Sequence, residues 1–183
     1  MLMLDVGCGF AKHEGCLGVD LRKLKCVDVV ADASSLPFRN DCFDKIFLRH
    51  AVEHISDIVS FMSEIWRVSN NGAIVHVWTP HFTSFHSYTD PTHLHHLTIE
   101  SFDYFDARTE LGKEFGSNAK SKFRIRQRRI LFTKRIFWNY LIVKLANKYP
   151  VVYERIFGWI FPADDLYFEL KVVKTKAKGN WPN

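Results

Sequence analysis

An α/β fold built on a mostly parallel sheet is what this sequence predicts, and three observations carry the prediction. Short β-type runs recur through the first 80 residues, each ending near Gly, Asp or His, as buried parallel strands do. A helix-periodic stretch separates the fourth run from the fifth, and parallel neighbours need such a crossover. Beyond residue 118, two more β-type runs flank an aromatic-rich helical stretch.

Taken in order, the first four runs are Leu2–Val6, Leu17–Asp20, Val27–Ala31 and Lys45–Leu48. Between Ile55 and Val68 the apolar residues Ile55, Ile58, Val59, Met62, Ile65 and Trp66 follow helical spacing, with Ser56 or Asp57 available as the cap. Asn70-Asn71-Gly72 reads as the stop. Ala73–Thr79 is the fifth strand, and Pro80 ends it by removing a backbone donor. Residues 81–118 are polar, His-rich and weakly periodic, which predicts a long loop or short helices beyond the strand tips, where open α/β sheets bind ligands. Phe123–Thr133 is a strand, Ile136–Phe161 a pair of helices broken at Pro150, and Leu166–Lys174 the last strand. The tail from Lys176 to Asn183 is expected to fray.

At 183 residues the chain suits one domain, on a scale of about 100–200 residues each. The expected arrangement is a ligand-binding half at 1–80, a substrate-facing insertion at 81–118, and strands with aromatic helices at 119–175. Apolar residues make up 47% and charged residues 25%, a balance that excludes a disordered chain. Cys8, Cys16, Cys26 and Cys42 form no CxxC pair and follow no export segment, so free thiols and a cytoplasmic setting are expected. No uncharged apolar run approaches the roughly 18–20 residues of a membrane span.

The strongest local signal is Leu4-Asp5-Val6-Gly7-Cys8-Gly9, a strand running directly into glycines that let backbone turn tightly against a ligand. Eleven residues after Gly9, the second strand ends in Asp20, a carboxylate able to accept from both hydroxyls of a ribose. The third ends in Asp32-Ala33, where a carboxylate and a neighbouring amide suit an adenine edge. Three consecutive strand tips would thus span one nucleoside.

LDVGCG, GVDL, VVADASSLPF, FDKIFLRHAVEHI and the following helix–Gly–strand resemble the successive motifs of class I (Rossmann-like) S-adenosylmethionine-dependent methyltransferases. The resemblance is specific over residues 2–80 and architectural over 119–174. It implies a seven-stranded sheet with an antiparallel last strand, S-adenosylmethionine as cofactor, and methyl transfer to a small-molecule acceptor, a sugar or lipid-linked hydroxyl. It also implies that Asp5, Gly7, Cys8 and Gly9 hold the methionine end, Asp20 and Leu21 the ribose side, Asp32 and Ala33 the adenine, with Arg49 and His50 beside the sulfonium. Two departures stand out: six residues between Gly9 and Cys16 are too few for a full crossover helix, and no N-terminal lid precedes the first strand. They imply an open site or a shortened chain, and keep a second reading in view, a cofactor-binding partner subunit without turnover. A dinucleotide-binding dehydrogenase fails at its third glycine, where Lys12 stands.

Two histidine groups remain. His50-Ala51-Val52-Glu53-His54 matches HxxEH, a metalloprotease pattern, but it sits where a methyltransferase often carries such a run, and no metal is assigned to it. His81, His86, Asp90, His93, His95 and His96 crowd one segment, with a spacing that matches no defined metal motif. His86 and His93 are the candidate general bases, because an imidazole near its ordinary pKa suits proton removal at neutral pH, and Asp90 is the candidate orienter.

Charge divides unevenly: residues 1–118 carry 10 Lys/Arg against 16 Asp/Glu, residues 119–183 carry 15 against 4. Arg124, Arg126 and Arg128 alternate and are expected on one strand face, near Lys120, Lys122, Arg129, Lys134 and Arg135. The stretch from Phe137 to Phe161 is too aromatic for a solvated helix pair, and it must bury that face on the sheet, on a second copy in a homodimer, or at a membrane surface. Nucleic acid fits poorly, since the basic strand precedes the aromatics instead of interleaving with them.

Overall fold

Each of the first strands is held by residues with no other place to go. In β1 (Met3–Val6), Leu4 and Val6 are fully buried, and so are Val19 in β2 (Leu17–Asp20) and Ile46 and Leu48 in β4 (Phe43–Arg49). The structure, a computed structural model, describes residues 1–116, 122–132 and 139–174. Seven strands make one sheet in the order β3-β2-β1-β4-β5-β7-β6, with β3 (Val29–Val30), β5 (Ser69–Pro80), β6 (Lys122–Leu131) and β7 (Asp165–Val173). The pairs among β1 to β5 are parallel, whereas β7 runs antiparallel to both its neighbours. The order reverses beside β1, so the carboxyl ends of β1 and β4 open a crevice where such sheets take ligands.

Helix α1 (Ile58–Val68) crosses from β4 to β5 and buries Phe61, Met62, Ile65 and Val68, each contributing roughly 1.5–3 kcal/mol of burial. Of the two candidate caps, Asp57 is the one used: its Oδ1 accepts from the Ser60 amide at 3.0 Å. Between β1 and β2 the chain forms only turns, as six residues dictate.

Two details correct the sequence reading, and both are bulges. Asn70-Asn71-Gly72 does not end the helix, which stops at Val68; it lies inside β5, where the pairing jumps from Phe43↔Ser69 to Lys45↔Ile74. Gly72, at φ +84°, absorbs the slack. In β6 the register shifts between Ile125 and Gln127, which reverses side-chain parity for every later residue. Arg124 lies opposite Lys171, but Arg128 lies opposite buried Phe168 and donates through Nη1 to Asp103 Oδ1 at 2.7 Å. The three arginines therefore do not share a face.

Residues 81–116 form short pieces over the strand tips: α2 (Phe85–Thr89), a 3₁₀ turn (Asp103–Phe105) and α3 (Glu110–Glu114). After β6 come α4 (Asn139–Lys148), then α5 (Pro150–Val152) running into a π-helical turn (Tyr153–Phe157), with Pro150 opening the second piece. Burial of this region is less complete than its aromatic content suggests. Leu141, Leu145, Ile156, Trp159 and Ile160 are exposed, and Leu145, Tyr149, Val152 and Phe157 line an apolar cleft of about 260 Å³ between α4 and the π-helical turn. Lys120, Lys134, Arg135, Phe137, Trp138 and the tail 176–183 lie outside the described residues. No described helix is long and apolar enough to cross a membrane, and all four cysteines are free.

Candidate active site

The turn after β1 folds back on β2: the amides of Gly7 and Cys8 both donate to the Val19 carbonyl, at 2.8 and 3.1 Å. Gly7 sits at φ +69°, and a Cβ there would stand 2.8 Å from the Ala51 Cβ, so the position excludes any side chain. Asp5 is wholly buried beneath this turn. Its Oδ2 accepts from the His13 amide at 2.8 Å and from His13 Nδ1 at 3.0 Å, while Oδ1 has no partner. His13 in turn stacks on Phe47, ring centroids 4.1 Å apart.

Asp20, nearly buried, accepts the Gly9 amide on Oδ2 and the Arg22 amide on Oδ1, each at 2.9 Å; Arg22 Nε also reaches Oδ1, at 3.2 Å. Burial pushes this carboxyl up, but those donors outweigh it and hold its pKa below the ordinary aspartate value. At the next strand tip, Asp32 Oδ1 accepts from the Ser34 amide at 2.8 Å.

These tips border a cavity of about 580 Å³. Gly7, Asp20, Leu21, Asp32, Ala33 and His50 line it, joined by Arg22, Ala51, His54, Ile55, Asp90 and Thr92. Asp5, Cys8, Gly9 and Arg49 do not. Asp5 and Cys8 are buried behind the turn, Gly9 faces Asp20, and the Arg49 guanidinium donates to the Ala11 carbonyl, which turns it away from the cavity. Burial also pushes the Cys8 thiol up to about 11.

A second cavity, of about 750 Å³, adjoins the first and shares His50, His54 and Asp90 with it. Its remaining walls are Glu53, Pro80, His86, Thr89, Pro91, His93 and Asp165. His50 holds a left-handed backbone at φ +49°, unusual for a side chain of its size, with its amide on the Trp78 carbonyl. The Glu53 carboxylate, 3.4 Å from its Nδ1, raises the His50 pKa against the opposing effect of burial. Asp165 is shifted up, chiefly by burial.

Of the histidines in 81–96, His86 and His93 reach this cavity. His81 is buried against Thr83 and Glu154, His95 meets the Ile55 carbonyl at 2.9 Å, and His96 pairs with Ser87 Oγ at 2.8 Å. Asp90 lines both cavities but does not orient His86 or His93. Its Oδ1 takes the Thr92 amide and hydroxyl, at 2.8 and 2.7 Å, and Thr92 Oγ1 in turn lies 3.0 Å from His54 Nδ1.

Residues 4–77 match the family model described as a methyltransferase domain. Over that segment the chain is similar to methyltransferase domains. Norajmaline N-methyltransferase of Rauvolfia serpentina is 31% identical over 96 residues, 39% of this chain and 33% of that enzyme, so the match spans about a third of the relative's length. Among solved structures, the YcgJ protein of Bacillus subtilis aligns with a TM-score of 0.60 at 16% identity, over 94% of this chain and 92% of that one. An S-adenosylmethionine-dependent methyltransferase from Archaeoglobus fulgidus aligns at 0.55 and 20% identity, over 92% and 85%. The three chains thus share one overall fold.

Sequence reasoning missed Ala51, Ile55, Thr92 and Asp165 as cavity walls, and undervalued Glu53 and His54. The HxxEH run was a usable signal for the last two. Asp165 carries no local motif, and only the antiparallel insertion of β7 brings its first residue beside Pro80.

Proposed function

We propose that this chain transfers a methyl group from S-adenosylmethionine to a hydroxyl of a small-molecule acceptor, of the sugar or lipid-linked polar class. The observation that carries the reading is that the two cavities meet at His50, His54 and Asp90. A nucleoside held at the tips of β1 to β3 would present its reactive end at that junction, with the acceptor arriving from the other side.

The residues present fit the cofactor. Gly7 leaves backbone uncovered where a side chain has no room, and the unpartnered Asp5 Oδ1 directs negative charge at the turn that would hold a cationic methionine end. Asp20 would accept from ribose hydroxyls, its Oδ1 contact with the exposed Arg22 side chain being the one a ligand displaces. Asp32 and Ala33 would read the adenine, with the exposed Leu21 side chain as apolar cover. Once bound, the cofactor supplies an electrophilic methyl group. The chain supplies proximity and alignment, the largest contribution available to such a displacement. His86 and His93 face the acceptor cavity, where an imidazole would take the hydroxyl proton.

Isothermal titration with S-adenosylmethionine and S-adenosylhomocysteine, NAD serving as control, tests the first half of this reading. Micromolar binding of the first two alone supports it, and absence of binding removes it. S-adenosylhomocysteine release against a panel of sugar and lipid-linked alcohols tests the second half. Cofactor binding without release for any acceptor class would favour the partner-subunit reading.

A further inference from the structure

We infer that Glu53, His54 and His93 form a binding site for one divalent transition-metal ion in the wall of the acceptor cavity. One donor atom from each lies within 4.8 Å of the other two, although the residues come from separate elements, the 3₁₀ turn after β4 (Val52–His54) and the segment after α2. Sequence spacing hides this set, because His93 stands 39 positions beyond His54.

Glu53 supplies the decisive observation. Its side chain is 1% exposed, Oε2 accepts from Thr79 Oγ1 at 3.1 Å, and Oε1 has no hydrogen-bond partner. An unpaired buried carboxylate oxygen is costly, because its hydration has been lost without replacement. His50 Nδ1, at 3.4 Å, lies beyond ordinary hydrogen-bond length and leaves that deficit largely standing. A cation held from the cavity side would satisfy it.

Both imidazoles are already set as ligands. The Thr92 hydroxyl donates to Asp90 Oδ1, so Thr92 Oγ1 accepts from His54 Nδ1–H. The Ser87 carbonyl can only accept, so the His93 contact at 3.2 Å places a proton on Nδ1 there too. Each Nε2 therefore keeps its lone pair. The rings meet edge to face, with centroids 4.6 Å apart. Every proposed ligand thus has its non-coordinating atom anchored by a neighbour, the arrangement that orients metal ligands elsewhere.

Two imidazoles and one carboxylate suit zinc, manganese or ferrous ions better than magnesium or calcium, which prefer oxygen alone. Three protein ligands leave a position open toward the cavity, where an acceptor oxygen would bind. The ion site itself stands on the residues alone, so its test needs neither cofactor nor acceptor.

The test is a titration of untagged, metal-stripped protein with cobalt(II), read by its visible absorption, followed by displacement with zinc. One equivalent bound, displaced by zinc and not by magnesium, is expected. Glu53→Gln, His54→Ala and His93→Ala should each weaken binding by roughly tenfold to a hundredfold or more, whereas His86→Ala should bind as the parent does. Circular dichroism checks each fold, and if Glu53→Gln fails to fold, the exposed His54 decides through its alanine variant. No stoichiometric binding by the parent chain, equal binding of magnesium, or binding that survives loss of both histidines would overturn the site.

Discussion

The two cavities are built by different means. The first has one wall made by backbone, three parallel strand tips and a glycine turn returning to β2, all within residues 4–33, and is closed by side chains from 50–55 and 90–92. The second is made by side chains from four places, the 50–54 segment, Pro80, the 86–93 segment and Asp165. A site whose geometry is demanded of the backbone writes itself into the sequence as Gly and Asp at set intervals. A site assembled by tertiary packing leaves only a surplus of titratable residues.

The sharpest way to separate the two is Asp20→Ala against His86→Ala. Removal of Asp20 takes away the partner of the Gly9 amide and, on the proposed reading, the acceptor for both ribose hydroxyls. At roughly 1.5–3 kcal/mol for each hydrogen bond to a charged group, S-adenosylmethionine affinity should fall by about a hundredfold or more in calorimetry. His86→Ala should leave that titration unchanged. Equal losses in both variants would mean that the cavities are one functional unit.

Turnover should show the opposite pattern. If His86 takes the acceptor proton, its alanine variant should lose about 10²–10⁴ in kcat, measured by S-adenosylhomocysteine release at saturating cofactor. An unimpaired rate would move the proton to bulk water, or to His93 where its ring holds no metal.

How much could be read beforehand follows the same division. β1, β2, the helix ending at Val68 and the last strand pair were legible because apolar periodicity and caps act locally. That Gly7, Asp20 and Asp32 line one cavity was legible because each stands at the tip of a successive parallel strand. What escaped depends on register. Gly72 looks like a helix stop and is a bulge, and Arg128 looks like one of three equivalent arginines until the slip at Arg126 turns it toward Asp103. Asp90 was read as a partner for histidine because the two are close in sequence, but the shorter Asx-type loop to Thr92 captured it first.

That register slip makes a stability prediction of intermediate size. Arg128→Ala should cost roughly 1–2 kcal/mol, since the Asp103 carboxylate is left mostly buried without its ion pair, the partial exposure of Arg128 limiting the loss. Arg124→Ala, on the solvated face opposite Lys171, should stay within about 0.5 kcal/mol of the parent. Urea unfolding of the two variants checks this, and equal midpoints would argue against the bulge.

The smallest effect concerns the sheet face that neither cavity uses. His76 on β5 is half-buried, its Nδ1 2.9 Å from the Tyr167 hydroxyl, and burial lowers its pKa, with the Glu169 charge opposing in part. The unfolded chain therefore binds a proton more readily than the folded one, so the contribution of His76 to stability is intact above the ordinary histidine pKa, about 6.5, and is lost as pH falls toward the lower folded value. Melting temperature should drop as pH is taken from 7.5 to 5.5, a range above the ordinary carboxylate values. His76→Gln should flatten part of that slope while leaving cofactor titration at neutral pH as it was. A slope unaltered by the substitution would show that the acid sensitivity does not come from His76.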